Sequence, residues 1–184
     1  MPYREIRLPL DRDTAAGLRA GDILLLSGDM YTARDAAHKR MVEMLDRGEA
    51  LPVELEDQII YYCGPCPAPE GRPIGSAGPT TSGRMDRYAP RLIERGLRGM
   101  VGKGLRSAEV VEAMKKHTAV YFGATGGAGA LLARRIVSSE VVAFGDLGTE
   151  AVRRIRVDRF PVTVVIDSLG NDLYATGRQA YRKP

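Results

Sequence analysis

The chain has 184 residues, of which 44% are hydrophobic and 27% charged, and its formal net charge is +4. This length suits one well-buried core, and no apolar run approaches the ~18 residues of a membrane span. Basic residues are spread along the chain, Trp is absent and no apolar leader begins it, so we expect a cytoplasmic protein that binds neither nucleic acid nor membrane.

The first third of the chain predicts two strands, a helix and a third strand. Arg4–Leu8 alternates apolar and polar residues, and Asp22–Leu26 is an apolar run that ends at a Ser-Gly-Asp turn. Residues 32–45 have a helical pattern, with Thr32 as the predicted N-cap. Gln58–Cys63 predicts the next strand.

A long irregular segment, rich in proline and glycine, then runs from Gly64 to Arg84. Loops of this length inside a compact domain are uncommon and are often functional. Beyond it, helices and strands alternate, which predicts an α/β layered core. The predicted helices are Met85–Arg95, Ser107–His117 and Gly126–Ile136, and the predicted strands are Gly99–Gly102, Ala119–Phe122, Val137–Phe144, Val162–Asp167 and Asn171–Tyr174.

The tetrapeptide Cys63-Gly-Pro-Cys66 holds the two cysteines of the chain and matches the active-site sequence of thioredoxins. A thioredoxin thiol is activated by the helix that follows it, because the helix N-terminus lowers the thiol pKa. Pro67 and Pro69 leave no such helix here. Two thiolates are also only half of a tetrahedral metal site. A redox protein is therefore an alternative that the local sequence disfavours.

The stretch Gly123-Ala-Thr-Gly-Gly-Ala-Gly129 follows a predicted strand and opens a predicted helix. Asp146 stands about 20 residues further on, as in a dinucleotide-binding fingerprint. The fingerprint is incomplete, because Leu132 occupies its third small position. Glycines can equally allow a helix to pack closely on a sheet, so a nucleotide-binding module is one alternative.

The block Gly78-Pro-Thr-Thr-Ser-Gly-Arg-Met-Asp86 places three hydroxyl residues between glycines and follows them with an arginine. Loop hydroxyls and main-chain N–H groups can bind a carboxylate or phosphate, and Arg84 adds a planar group that binds carboxylates with two hydrogen bonds. A structural role is the alternative, with Thr81 or Ser82 capping the next helix. Both roles are compatible, and we predict an anion site.

Two further basic residues stand where α/β sheets bind ligands. Arg34 lies in the first turn of a predicted helix, where its charge opposes the helix dipole. Lys103 lies between two glycines at the end of a predicted strand. The alternative is that both are ordinary surface cations, with Arg34 paired to Asp35 or Asp29.

Taken together, these motifs resemble one family. The runs YTARDAAHKR (31–40), GSAGPTTSGRMD (75–86) and GKG (102–104) are similar to the β subunit of class I, iron–sulfur-dependent fumarate hydratases. They are equally similar to the C-terminal domain of the single-chain forms, and the resemblance covers nearly the whole chain. Gly83 favours a fumarase over the related L-tartrate dehydratase β subunits. A tartrate or mesaconate dehydratase is the alternative within the family.

The resemblance implies an α/β fold, a single swivelling β/β/α domain over residues 1–184. It implies a [4Fe-4S] cluster held by three cysteines of a separate α subunit, so this chain alone would bind no cofactor or metal and would be inactive. The implied complex is α2β2, and the β subunit is also a candidate for self-association. The implied reaction is the reversible hydration of fumarate to (S)-malate.

In the dehydration direction, that reaction passes through an aci-carboxylate with two negative charges, which fixed cations stabilise. By resemblance, six residues bind the substrate: Arg34, Thr80, Thr81, Ser82, Arg84 and Lys103. Thr80 matches the position proposed as the base, and it needs activation from the α subunit because an alcohol is a poor base. Thr80 and Lys103 are the residues predicted to take part in catalysis.

Overall fold

The computed structural model describes residues 3–177, Gln179 and Arg182. The predicted domain over residues 1–184 therefore extends outside the described residues at both ends. Seven strands form one mixed sheet: β1 Arg4–Arg7, β2 Ile23–Thr32, β3 Ile59–Tyr61, β4 Gly99–Gly102, β5 Val120–Gly123, β6 Ile136–Ala143 and β7 Val152–Ile166.

Helices connect most of the strands and are short. They are α1 Arg12–Gly17, α2 Asp35–Asp46, α3 Ala89–Glu94, α4 Ala108–His117, α5 Gly129–Ala133 and α6 Leu173–Thr176, with 3₁₀ segments at Ser82–Met85 and Gly145–Glu150. Within the described ranges, no helix has the length and apolar character needed to cross a bilayer.

Strand pairing closes the sheet into a small barrel. Strands β1 and β3 pair with β2 in parallel, β4 pairs with β3, and β5 pairs with β4, also in parallel. Strand β7 runs antiparallel to both β5 and β2, and β6 pairs antiparallel with the first half of β7, on the side opposite to β2. The predicted α/β architecture is confirmed as a mixed α/β sheet.

Apolar residues are buried on both faces of the central strands. Along β3, Ile59 and Tyr61 belong to one hydrophobic cluster, whereas Ile60 belongs to a second cluster with residues of α2, α3 and α4. This alternation follows from the two-residue period of a strand. Strands covered on both faces read as continuous apolar runs, which is why their sequences predict them well.

The predicted boundary between β2 and α2 was wrong. Thr32 is the last residue of β2 and fully buried, and the N-cap of the helix is Arg34.

The predicted turn at Gly28 is a bulge inside the strand, where the pairing with β7 shifts register. Gly28 has a φ of 130°, and a Cβ there would lie 2.9 Å from Leu8 Cβ. The glycine therefore marks a bulge and a close approach, which local sequence cannot distinguish from a turn.

The C-terminal prediction was also partly wrong. Strand β7 begins at Val152, ten residues before the predicted strand, and runs for 15 residues. Leu173–Thr176 is helical instead of extended, and Asp172 caps this helix by accepting a hydrogen bond from Tyr174 N. Helix α5 covers only the middle of the predicted helix 126–136. Arginines alternate with the apolar residues of early β7, and they obscured its strand pattern.

Candidate functional site

Four loops meet at one edge of the barrel, because they follow the carboxyl ends of the parallel strands β2 to β5. Arg34 follows β2, the CGPC stretch follows β3, Lys103 follows β4, and the glycine-rich stretch after Gly123 follows β5. This edge is where open α/β sheets bind ligands. The predicted site residues therefore come from separate parts of the sequence and share one side of the fold.

The Gly64–Arg84 loop returns to this edge and runs beside β3 and β4. Thr80 N donates a 2.7 Å hydrogen bond to Tyr62 O, and Lys103 N donates a 3.3 Å hydrogen bond to Thr80 O. Ser82 N donates a 2.8 Å hydrogen bond to Lys103 O. These bonds continue the ladder of the barrel and fix the backbone of Thr80 and Thr81 next to Lys103. The side chains of Thr81 and Lys103 remain exposed.

Ser82, one of the six residues expected to bind the substrate, is fully buried. Its hydroxyl lies 2.9 Å from that of Tyr121, and the Tyr121 hydroxyl donates to Gly104 O at 2.9 Å. Because Tyr121 has one O–H and a carbonyl only accepts, the Ser82 hydroxyl donates to Tyr121. Gly102 makes room for this serine, since a Cβ at Gly102 would overlap Ser82 Oγ. Ser82 therefore fastens the loop to the barrel and does not face the open site.

Arg34 and Arg84 are joined through Asp35, the first residue of α2. Arg84 Nη2 donates a 2.8 Å hydrogen bond to Asp35 Oδ2, and Arg34 Nε lies 3.6 Å from Asp35 Oδ1. Burial opposes ionisation of Asp35, but hydrogen bonds from its own main chain and from Arg84, with the charges of both arginines, lower its pKa overall. The site thus contains two guanidinium groups around one ionised carboxylate.

Arg34 is held from a second side by Glu150, at the end of the second 3₁₀ segment. Glu150 Oε1 lies 3.4 Å from Arg34 Nη2, and Oε2 accepts a 3.1 Å hydrogen bond from Ala36 N in the first turn of α2. A carboxylate at this position also suits the positive end of the helix dipole. Gly64 lets the Arg34 side chain lie against the loop, since a Cβ at Gly64 would be 2.8 Å from Arg34 Nη1.

The glycine-rich stretch after β5 packs against the GPTTSGR loop and lies beside Lys103. A Cβ at Gly126 would be 3.7 Å from Lys103 Nζ, and a Cβ at Gly129 would be 2.9 Å from Gly78 N. Ala77 N donates a 3.1 Å hydrogen bond to Gly129 O. These glycines therefore allow close packing of two loops and give the Lys103 side chain a surface to lie on.

The dinucleotide interpretation of this stretch was wrong. The strand that follows it, β6, pairs antiparallel with β7, so the parallel βαβ unit of a dinucleotide fold is not formed. Asp146, the candidate ribose ligand, accepts two 2.8 Å hydrogen bonds from Arg40 of α2. Its role is to link α2 to the segment that carries Glu150.

The geometry also argues against a thioredoxin-like site. Both cysteines are free; Cys63 is buried and Cys66 is exposed. Burial raises the pKa of Cys63 to about 12, the opposite of the activation that a redox thiol requires. Residues 64–81 contain no helix that could lower it. Across the described ranges, no group of three or more His, Cys, Asp or Glu side chains is arranged to hold a metal ion.

The sequence motifs did not indicate that three further residues contribute to the site. Asp35 was considered only as a surface partner of Arg34, although its position next to Arg34 was a usable signal. Glu150 and Tyr121 gave no signal, because each contacts its partner across a long stretch of chain. Their roles depend on how the barrel closes.

The fold and site define a small α/β barrel domain with a cationic, hydroxyl-containing rim. Comparison of the sequence with known families gives a match: residues 4–177 match the family described as Fumarase C-terminus. The chain belongs to this family, which confirms the resemblance seen in its motifs.

Individual relatives support the same assignment. The chain is 41% identical over 175 residues to fumarate hydratase 2 of Leishmania major, covering 93% of this chain and 31% of that protein. It is 44% identical over 153 residues to the aerobic class I fumarate hydratase of Escherichia coli, covering 82% of this chain and 28% of that protein. The chain thus spans about a third of the length of these relatives or less.

A third relative has nearly the same length. The chain is 39% identical over 173 residues to the putative L(+)-tartrate dehydratase subunit beta of Methanocaldococcus jannaschii, covering 90% of this chain and 89% of that protein. The two chains therefore match over nearly their whole lengths, whereas the match to the fumarate hydratases covers only part of those proteins.

Proposed function

We propose that this chain is the β subunit of a class I fumarate hydratase, a hydro-lyase that reversibly hydrates fumarate to (S)-malate. One observation carries the proposal: Arg34, Arg84, Lys103 and Thr80 lie on one edge of the barrel, on loops fixed by main-chain hydrogen bonds and packing. A fumarate dianion needs cations that are separated in space, and this rim provides three.

In this proposal the two arginines and Lys103 bind the substrate carboxylates. Arg84 is about half exposed, and the bond to Asp35 uses only its Nη2, so the guanidinium has further N–H groups for a ligand. When a proton leaves the carbon next to a carboxylate, charge accumulates on the carboxylate oxygens, and cations already in place stabilise it without reorganisation. Thr81 and the loop N–H groups complete the binding site, while Ser82 holds the loop in position.

Thr80 is the proposed base. Its backbone is fixed on both sides, by donation to Tyr62 O and acceptance from Lys103 N. A threonine hydroxyl needs an activating group to accept a proton. We place the activation of this hydroxyl on the partner subunit.

A [4Fe-4S] cluster is part of the proposed enzyme, but the side chains described here do not fit one. Cys63 and Cys66 are two thiols where a cluster needs at least three ligands, and the raised pKa of buried Cys63 disfavours the thiolate. We therefore assign the cluster to a separate α subunit, where it would supply the Lewis acid that receives the departing hydroxyl.

The match to a subunit of nearly equal length supports an enzyme of two kinds of chain, with α2β2 as the proposed composition. We also propose that this barrel is a swivelling β/β/α domain that closes on the cluster-bearing subunit. Its cationic rim at one end is suited to such closure, because the substrate would be enclosed between two chains.

The experiment is steady-state kinetics of the complex reconstituted with its iron–sulfur partner. We expect the highest kcat/KM with fumarate and (S)-malate, and little activity from this chain alone. The second candidate is a tartrate dehydratase, which the match over nearly the whole length of such a subunit favours. A kcat/KM that is much higher with tartrate or mesaconate than with fumarate would reject the proposed substrate.

A further inference from the structure

We propose that Asp35 is a positioning residue, the shared counter-ion that aligns Arg34 and Arg84 for one dicarboxylate; this inference rests on the proposed function. Asp35 stands at the start of α2, between Arg34 and the 3₁₀ segment that carries Arg84. Among the described residues, it is the acidic side chain in ion-pair contact with both arginines.

The two arginines come from elements that are 50 residues apart in sequence, and their like charges oppose a close arrangement. A bound dicarboxylate would neutralise them, but the empty site needs another anion. Asp35 provides it with one hydrogen bond of 2.8 Å to Arg84 and an ion pair of 3.6 Å to Arg34. The site is therefore organised before the substrate arrives, which reduces the reorganisation that catalysis requires.

The same geometry leaves Arg84 able to bind a ligand, and the Arg34 side chain is 21% exposed. Arg84 uses only Nη2 in its bond to Asp35, and its side chain is 47% exposed. Arg34 Nε and Asp35 Oδ1 are buried, have no hydrogen-bond partner in the described part of the chain, and lie 3.6 Å apart. Asp35 thus orients the guanidinium groups without saturating them.

Glu150 supports Arg34 in a different way. Of the two arginines, Glu150 contacts only Arg34, at 3.4 Å. It also accepts a hydrogen bond from Ala36 N. Loss of Glu150 would disturb one arginine and the helix start, whereas loss of the Asp35 charge would release both arginines from each other. This difference assigns the alignment of the pair to Asp35.

Asp35→Asn tests this alignment, because asparagine keeps the shape of the side chain but lacks the negative charge that holds the two arginines. We expect kcat of the complex with fumarate to fall at least about tenfold. The dissociation constant for succinate, an unreactive dicarboxylate, should stay within about threefold, since the site becomes more positive while its cations become less ordered. Asp46→Asn is the matched control: it removes another ion pair of α2, to Arg91, and should leave kcat within about twofold.

A second measurement uses the chain alone. In arginine Nε–Hε NMR spectra, Asp35→Asn should shift the signals of both Arg34 and Arg84, whereas Asp46→Asn should shift that of Arg91 and neither of these. If Asp35→Asn does not fold, Asp35→Ser takes its place, because serine keeps a small polar side chain in the first helical turn.

Three results would overturn the inference: a kcat within twofold of wild type, a succinate affinity that falls in parallel with kcat, or NMR shifts confined to one arginine. If the wild-type complex does not hydrate fumarate, the proposed function is wrong. In that case the NMR result still decides whether Asp35 aligns the two arginines.

Discussion

The Ser82 hydroxyl donates a hydrogen bond to Tyr121 Oη, with the two oxygens 2.9 Å apart, inside a fully buried contact between the GPTTSGR loop and β5. The Tyr121 hydroxyl in turn donates a hydrogen bond to the main-chain oxygen of Gly104, next to Lys103. The loop that carries Thr80 and the turn that carries Lys103 are therefore fixed to each other through one tyrosine.

This contact predicts a structural effect for Ser82→Ala. We expect the free energy of unfolding of the chain to fall by about 1 kcal/mol, because one buried hydrogen bond is lost while Tyr121 keeps its bond to Gly104 O. Denaturant unfolding measures this change, with exposed Thr81→Ala as the control. A large loss of kcat in the complex, with an unchanged free energy of unfolding, would instead support substrate binding by Ser82.

Arg84→Lys is expected to lower kcat/KM of the complex on the order of 100-fold, because lysine cannot make the two parallel hydrogen bonds of a guanidinium to a carboxylate. The chain should stay folded, since the Arg84 side chain is half exposed and a lysine can still pair with Asp35. Arg91→Lys, which changes another arginine that pairs with an acid on α2, is the control. Near-normal kcat/KM in Arg84→Lys would exclude the carboxylate-binding role.

Gly64→Ala tests whether the CGPC stretch makes room for the Arg34 side chain. A Cβ at Gly64 would lie 2.8 Å from Arg34 Nη1 and 3.4 Å from Thr149 O, so the arginine must move. We expect kcat/KM to fall at least about tenfold, because small displacements of a binding group are costly for catalysis. Gly17→Ala, at a position with nothing within 4 Å of the new Cβ, should have no effect. Equal kinetics of the two variants would refute this role of Gly64.

The two cysteines are expected to differ strongly in reactivity. Cys66 is exposed and should react with a thiol reagent at neutral pH, whereas Cys63 is buried, its pKa is raised to about 12, and it should react only when the chain unfolds. Labelling of the folded chain followed by mass spectrometry counts the modified thiols. Rapid labelling of both cysteines, or insulin reduction, would support the redox alternative.

His38 predicts a pH dependence of stability. Its ring is fully buried, and this burial lowers the pKa of His38 from 6.5 to about 4. The folded state therefore favours the neutral ring, whose Nδ1–H donates to Arg34 O at 2.8 Å. The stability that His38 contributes is present above pH 6.5 and is lost as the pH falls toward 4, by up to about 3 kcal/mol.

Unfolding free energies of wild type and His38→Asn between pH 7 and 4 measure this contribution. Asparagine can place a donor near the position of Nδ1 but does not titrate in this range, so its pH dependence should be weaker. The same slope in both proteins would show that His38 does not titrate as burial predicts.

Much of the site was accessible from sequence because its signals are local. The GPTTSGR block, the lysine between two glycines and the arginine before α2 each stand in a short motif. The family resemblance grouped these motifs, and the structure places them at one edge because the carboxyl ends of the parallel strands lie there. The errors fell where local patterns are ambiguous: a glycine in a bulge, arginines along β7 and a short helix after a turn.

The sequence by itself determined the strand–helix order, the family resemblance and the residues that form the cationic rim, because apolar periodicity and short motifs are local properties. Only the tertiary structure decided which hydroxyls face the rim, that Ser82 is buried against Tyr121, and that Asp35 and Glu150 hold the arginines. The physical reason is closure of the barrel. Pairing of β7 with both β2 and β5 fixes contacts between residues far apart in the chain, and no local pattern encodes those contacts.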